Sequence, residues 1–490
     1  MHLNDAACYQ ALATHDPRFD GRFFVGVSST GIYCRPVCRA KLPSAKNCTF
    51  YPNAASAERA GYRPCLRCRP ELAPGRSRVD AESRLAARAA SRIEDGALED
   101  KSVAELAADL HTSDRHLRRV VTDAFGVSPV EMAQTGRLLL AKRLLTDTDL
   151  PVTEIAFAAG FGSVRRFNTL FQERYRLNPT NLRKSREGIK AMDVMRYELP
   201  YRPPLAWQEL LAYVTGRAGR GAEARDSDVY RRTVRVKDKT GVVSVSHAMG
   251  RDALVVELSP SLAGVMVPVL ARVKRLFDLD VDPVAIAERL GDLAADCPGL
   301  RVPGAFDPFE LTVRAILGQQ ISVKAATTLA SRFTVAFGTP METAYVDLTH
   351  LAPTPERVAQ ETVDSVAALG IVGARAKSIL ALANAVATGS ISFTPGTDIS
   401  ETTEKLKTLP GIGEWTAQYV AMRALGDPDA FPHTDLGLYN ALGTTNPRNV
   451  LALAEKWRPW RAYAVMHLWR SLGNPKEVPE IPTGGIVTGA

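Results

Sequence analysis

KLKTLPGIGEWTAQYVAMRALG, residues 405–426, sets a short turn, Leu409-Pro410-Gly411-Ile412-Gly413, between two stretches of helical pattern. Glycines at Gly411 and Gly413 let backbone N–H groups come close to a phosphate at the start of the second helix. The stretch therefore reads as a helix-hairpin-helix. About twenty residues further on, AFPHTDLGL places Asp435 just after a Pro-bearing turn. A single Asp beside a turn is ordinarily a helix N-cap.

The surroundings widen the reading. From about Met195 the composition changes, and RRTVRV, GVVSVSHA and ALVVELS within 230–258 read as short strands separated by Gly and Asp. Helical patterns then run to about 472. The hairpin with its aspartate resembles the helix-hairpin-helix DNA glycosylases. YRPPLAWQELLAYVTGRA, FDPFELTVRAILGQQISVKAA, LPGIGEWTAQY and KWRPWRAYAVMHLWR are similar to the AlkA branch of that family, over about 196–475. The resemblance implies a small mixed β-sheet domain (196–283) followed by all-α glycosylase domains (284–475). It also implies that Tyr213, Trp415, Tyr419 and Trp469 line a base pocket and that Asp435 is catalytic. Each of these aromatics taken alone would read as core. The apolar wedge of that family falls at Gln320 here, with Ile321 beside it as the other candidate. A base alkylated on a ring nitrogen is cationic, so aromatic faces suit it, and it must be swung out of the duplex to be reached. Trp415 stands where lyase-capable relatives carry a Lys, so the expected chemistry is monofunctional hydrolysis of alkylated purines of the 3-methyladenine type.

The N-terminal end carries different chemistry. Cys34 and Cys38 lie in TGIYCRPVCRAK, and 26 residues later Cys65 and Cys68 lie in GYRPCLRCRP. Two close thiol pairs across a loop predict one tetrahedral zinc site. Cys8 and Cys48 read as small hydrophobes. Arg35, Arg39, Arg63, Arg67 and Arg69 crowd the ligands and would draw a DNA phosphate to a zinc-held thiolate. Residues 8–72 resemble the methyl-accepting domain of the Ada-type methylphosphotriester repair proteins. The resemblance implies that Cys34 irreversibly takes a methyl group while the other three cysteines remain ligands. Four thiolates on zinc carry a formal charge of about −2. Methylating one leaves about −1, which weakens the repulsion of DNA.

Between these ends, Val103, Leu106, Ala107 and Leu110 share one helix face, and Leu117, Val120 and Val121 share a later one. The pattern recurs at an offset of 50: Leu106 with Ala156, Leu117 with Phe167, Phe125 with Tyr175, Pro129 with Pro179. Two helix-turn-helix units joined by a helix at about 131–146 follow, with Ser113–Arg119 and Ser163–Asn168 facing a groove. Residues 83–185 resemble the DNA-binding domain of AraC-type regulators. Arg176 stands where that family usually has Gly.

A chain of 490 residues accommodates several such domains. The expected whole is a multidomain α+β protein: a four-cysteine zinc domain (1–72), an all-α double helix-turn-helix domain (83–185), the sheet domain and glycosylase domains above, and a Pro/Gly-rich flexible tail (476–490). The net charge of +8 favours a polyanionic partner. The expected partners are double-stranded DNA, both alkylated and promoter, and RNA polymerase; the expected state is a monomer. No signal peptide or membrane span is evident, so a cytoplasmic, nucleoid-associated location is the default. The only cofactor expected is one Zn2+. Only Cys297 follows Cys68, so no iron–sulfur cluster is foreseen; no organic cofactor is expected. Gly411, Gly413, Gln320, Arg35, Arg39 and Arg67 are the expected DNA contacts. Together the domains imply a repair and response protein that senses phosphotriesters, activates transcription and excises bases. One rival reading keeps the C-terminal half only as a DNA grip for a regulator. Another makes the zinc purely structural and the front half a targeting device.

Overall fold

The computed structural model describes residues 4–74, 84–148, 150–184 and 194–473. The expected tail at 476–490 lies outside the described residues. No described helix is long and apolar enough to cross a membrane.

Residues 4–74 build a four-stranded sheet in the order Cys48–Tyr51, Phe24–Val27, Ile32–Cys34, Arg63–Pro64. The first three strands pair antiparallel, and the last runs parallel to Ile32–Cys34 after the chain crosses through helix Ala54–Arg59. That register sets Pro64 opposite Tyr33. Cys65 and Cys34 each follow one of this pair, so the crossover delivers both cysteine pairs to one end of the sheet.

The repeat seen at an offset of 50 is present as structure. Helices Val103–Asp109 and Asp114–Phe125 are matched by Val152–Ala158 and Val164–Tyr175, with Pro129–Asp147 between them. Ser113 and Ser163 cap the second helix of each unit by accepting hydrogen bonds from the backbone N–H of His116 and Arg166. Gly126 ends the first of these helices at φ 72° and Arg176 ends the second at φ 53°. The backbone geometry is thus retained without glycine, at a cost of about 1 kcal/mol. The long helix begins with a capping box between Ser128 and Glu131 and Pro129 at its first position.

The strands expected within 230–258 fall at Val229–Val236, Lys239–His247 and Ala253–Leu258. Met195–Pro200 and Glu223–Asp226 complete a five-stranded sheet. This sheet is antiparallel throughout. The parallel pairing belongs to the cysteine-bearing sheet. The core of the five-stranded sheet is continuous with that of the second helix-turn-helix unit: Phe161, Phe167, Phe171 and Tyr175 join Met195, Tyr197, Trp207 and Phe277 in one buried cluster. The domain edges expected at 185 and 196 therefore divide the chain but not the core.

Beyond the sheet lie two helical cores, one around Leu438, Trp457, Tyr463 and Met466, the other around Phe309, Ile316, Ile379 and Leu406. Helix Glu414–Arg423, the second of the hairpin, feeds both, Ala421 and Met422 into the first and Val420 into the second. What lies along this helix faces the seam between them.

Candidate catalytic and metal sites

Asp435 sits at that seam. It is the N-cap of helix Leu436–Leu442, and its Oδ1 accepts the backbone N–H of Leu438 at 2.9 Å. The bland N-cap role is therefore present. Two further donors go beyond it: Trp469 Nε1 donates to Oδ1 at 2.8 Å and Trp415 Nε1 donates to Oδ2 at 2.7 Å. A carboxylate has about four lone-pair positions, and these three donors leave one for a reacting group. Gly437 is shaped to this arrangement, because a Cβ there would stand 2.8 Å from Asp435 Oδ1 and 3.2 Å from Trp469 Cδ1.

The four expected aromatics lie together. Trp415 and Tyr419 stack at 5.3 Å with an interplanar angle of 14°, and Trp469 is tilted against Tyr419 at 6.2 Å. At these spacings the rings touch one another, so a base would meet an outer face rather than a gap between them. Two guanidiniums approach the Tyr213 ring, Arg217 at 3.8 Å and Arg423 at 5.0 Å. Arg423, four residues beyond Tyr419 and 5% exposed, donates to the hydroxyls of Tyr419 at 2.7 Å and Tyr213 at 3.3 Å. It is anchored to the carbonyls of Pro303 and Gly304. Burial pushes the Tyr213 phenol up to about 12. Burial would raise Tyr419 too, but Arg423 and Arg217 outweigh it and hold that phenol below the ordinary tyrosine value. The sequence did not single out Arg423 or Arg217; the i, i+4 spacing from Tyr419 to Arg423 was the available signal.

Gly411 adopts φ 74°, and a Cβ there would lie 2.3 Å from Ser378 Oγ, so glycine is required on two grounds. A Cβ on Gly413 would meet no protein atom within 4 Å, leaving the start of helix Glu414–Arg423 open. Gln319 ties a second loop to this hairpin, donating to Gly411 O and Thr416 Oγ1, both at 2.9 Å. Next to it Gln320 is exposed and held at φ 56°. A non-glycine residue in the left-handed region is uncommon and strained. Ile321 follows, half-buried.

At the other end of the chain, the sulfurs of Cys34, Cys38, Cys65 and Cys68 all lie within 4.8 Å of one another. Four thiols so close cannot all ionise without a cation among them, so the donor set fits one soft divalent metal. Backbone N–H groups of Arg35 and Arg67 point at the sulfurs of Cys68 and Cys65, each at 3.4 Å. Arg39 and Arg67 are exposed. Arg35 is not free: its guanidinium pairs with Asp20 and donates to the Cys68 carbonyl at 3.1 Å. In this arrangement its guanidinium clamps the cysteine loop. Asp20 lies 15 residues earlier and gave no signal of this. Arg69 is also engaged, with Glu71 at 3.0 Å and Asp147 at 2.7 Å. Cys8 is buried and Cys48 half-buried, both outside the cluster.

Four family models match in succession: the metal-binding domain of Ada at 7–71, a helix-turn-helix domain at 106–185, the AlkA N-terminal domain at 196–307, and the HhH-GPD superfamily of base excision DNA repair proteins at 313–449. A probable bifunctional transcriptional activator/DNA repair enzyme AlkA of Mycobacterium tuberculosis is 39% identical, the match covering 97% of this chain and 98% of the relative. This chain belongs to that family. It is a fusion of an Ada-type metal-binding domain, a helix-turn-helix domain and an AlkA-type glycosylase. Family members combine DNA repair with transcriptional regulation, and DNA is the partner of both. The two halves also match separately. DNA-3-methyladenine glycosylase 2 of Escherichia coli is 36% identical over 279 residues, covering 56% of this chain and 98% of that protein. The bifunctional transcriptional activator/DNA repair enzyme AdaA of Bacillus subtilis is 32% identical over 178 residues, covering 36% of this chain and 81% of that protein.

Proposed function

We propose that the C-terminal half is a monofunctional glycosylase for alkylated purines of the 3-methyladenine type, and that Cys34 is a methyl acceptor for DNA phosphotriesters. The observation that carries the first reading is the Asp435 carboxylate held by two indole N–H groups and a helix N-terminus beside the hairpin. In this reading the hairpin N–H groups around Gly411 and Gly413 grip a phosphate, and Gln320, with Ile321 beside it, fills the space left by the flipped nucleotide. The bond from C1′ to the base nitrogen breaks and its electron pair leaves with the base. Asp435 stabilises the positive charge on the sugar, water adds at C1′, and the proton it loses passes to solvent. A ring-alkylated base leaves neutral, so the aromatic faces need only bind and orient it. Trp415→Phe would keep the ring contact with Tyr419 but remove the N–H to Asp435. Base release should fall about tenfold, since a hydrogen bond to a charged group is worth roughly 1.5–3 kcal/mol. Single-turnover release from methylated duplex measures this, and an unchanged rate would remove Trp415 from the support of Asp435.

For the second reading, Cys34, Cys38, Cys65 and Cys68 would hold one zinc ion, which keeps the sulfurs as thiolates. Exposed Arg39 and Arg67 bring the phosphate backbone to them. The Cys34 sulfur attacks the methyl carbon, an S–C bond forms, and the C–O bond breaks with its pair on phosphate oxygen. The neutral triester becomes an anionic diester and the protein is consumed. Loss of negative charge at the sulfurs then favours promoter DNA, with RNA polymerase recruited by the bound monomer. Incubation with phosphotriester-bearing duplex should add one methyl by intact mass, mapped to Cys34 and absent in Cys34→Ala. Uptake at another cysteine or none at all would defeat the reading.

A further inference from the structure

Both ends of the cysteine cluster lead, within a few residues, to buried polar contacts with the helix-turn-helix domain. On the Cys34 side, Tyr33 donates its hydroxyl to Glu58 Oε1 at 3.0 Å. Tyr175, the last residue of helix Val164–Tyr175, donates to the same oxygen at 3.2 Å. Thr135, on helix Pro129–Asp147, donates to Oε2 at 2.9 Å. Tyr33, Glu58 and Tyr175 are 0%, 3% and 1% exposed. On the Cys68 side, Arg69 reaches Asp147 at 2.7 Å, and Glu71 meets Lys142 at 2.6 Å with both side chains buried. The long helix thus receives a contact from the flank of the first cysteine and from the flank of the last.

We infer that Glu58 is a positioning residue that transmits the state of Cys34 to the second helix-turn-helix unit through the bridge Tyr33–Glu58–Tyr175. Burying a carboxylate is costly unless its oxygens are hydrogen-bonded. Burial raises Glu58 and the Thr135, Tyr33 and Tyr175 hydroxyls lower it, with a net result of about 7. A carboxylate kept under these conditions by three donors from three separate elements is a junction: Oε2 depends on Thr135, Oε1 is shared by the two tyrosines, and a tyrosine that moves away leaves its own buried hydroxyl without this acceptor. Tyr33 adjoins Cys34 in strand Ile32–Cys34, so a change of bulk and charge at the sulfur is felt one peptide away. Tyr175 packs at 4.9 Å on Phe171, which lies in the core shared with the five-stranded sheet. A shift of Tyr175 therefore bears on the seating of the recognition helix.

The inference rests on Cys34 being the methyl acceptor, and the test separates the two. Full-length wild type, Tyr175→Phe and Glu58→Gln are exposed to phosphotriester-bearing duplex. Methyl uptake and zinc content are then measured, together with amide hydrogen exchange across 164–175 before and after uptake. In wild type, methylation should change exchange in this helix about tenfold, the equivalent of one hydrogen bond to a charged group. Tyr175→Phe should take up methyl at the wild-type rate and lose that response. Glu58→Gln keeps an oxygen for the two tyrosines and should retain most of it. Methyl uptake in wild type with unchanged exchange, or a full response in Tyr175→Phe, would overturn the inference alone. No uptake in wild type would overturn the acceptor reading and this one with it.

Discussion

Asp435→Asn is expected to lower base release from methylated duplex about a thousandfold while leaving DNA binding intact. The size follows from the charge, since removing one electrostatic stabiliser of a transition state typically costs about 10²–10³ in rate, some 3–4 kcal/mol. Asn matches Asp in shape and is an equally good N-cap, so helix Leu436–Leu442 keeps its start. The fault is local. The carboxylate now faces the N–H groups of Trp415, Trp469 and Leu438. An amide in its place brings an NH2 group against one indole N–H and offers no counter-charge to the sugar. Single-turnover release alongside duplex affinity measures both halves of the prediction. A rate within about threefold of wild type would return the C-terminal half to a DNA grip, and the donors around Asp435 would then be those of an elaborate N-cap.

Local chemistry at fixed spacing was legible in the sequence: two thiol pairs, a glycine hairpin with an aspartate behind it, and an apolar pattern repeated at an offset of 50. Each needs only residues near one another in the chain, or a repeat that announces itself. Side chains that act across the chain were not legible. Arg35 stands beside a cysteine ligand and reads as a phosphate contact, yet Asp20 takes its guanidinium. Tyr213 reads as a pocket aromatic, and nothing near it in the chain shows that Arg423 arrives from 210 residues away to meet it. Glu58 draws no attention in the sequence, since its partners Thr135 and Tyr175 arrive from 77 and 117 residues away. The core shared by the second helix-turn-helix unit and the sheet escaped for the same reason. Amphipathic faces show that an element packs, not which distant partner it packs against.

Keeping metal from the four cysteines is expected to unfold residues 4–74 and to spare the glycosylase half. The apolar clusters in residues 4–74 are small, one around Cys8, Leu12, Phe23, Val25 and Val27, the other around Phe24, Tyr33, Ala54 and Ala57. A domain of this size seldom stands on such a core without a further constraint. Structural zinc supplies about 10–16 kcal/mol of apparent binding energy in comparable four-ligand sites. Cys65→Ser should therefore lose metal and fold together, as should wild type under a strong chelator. The backbone amides of strands Phe24–Val27 and Ile32–Cys34 should then exchange at rates near those of an unfolded chain. Without the sheet, Glu58 and Glu71 no longer meet Thr135, Tyr175 and Lys142. Protection should consequently fall in helix Pro129–Asp147 as well. Trp469 packs on a different core and, with Trp415, holds Asp435, so base release should continue. Strands that stay protected in metal-free protein would show that the apolar clusters and the Arg35–Asp20 clamp suffice, and the cysteine cluster would then serve the chemistry of Cys34 alone.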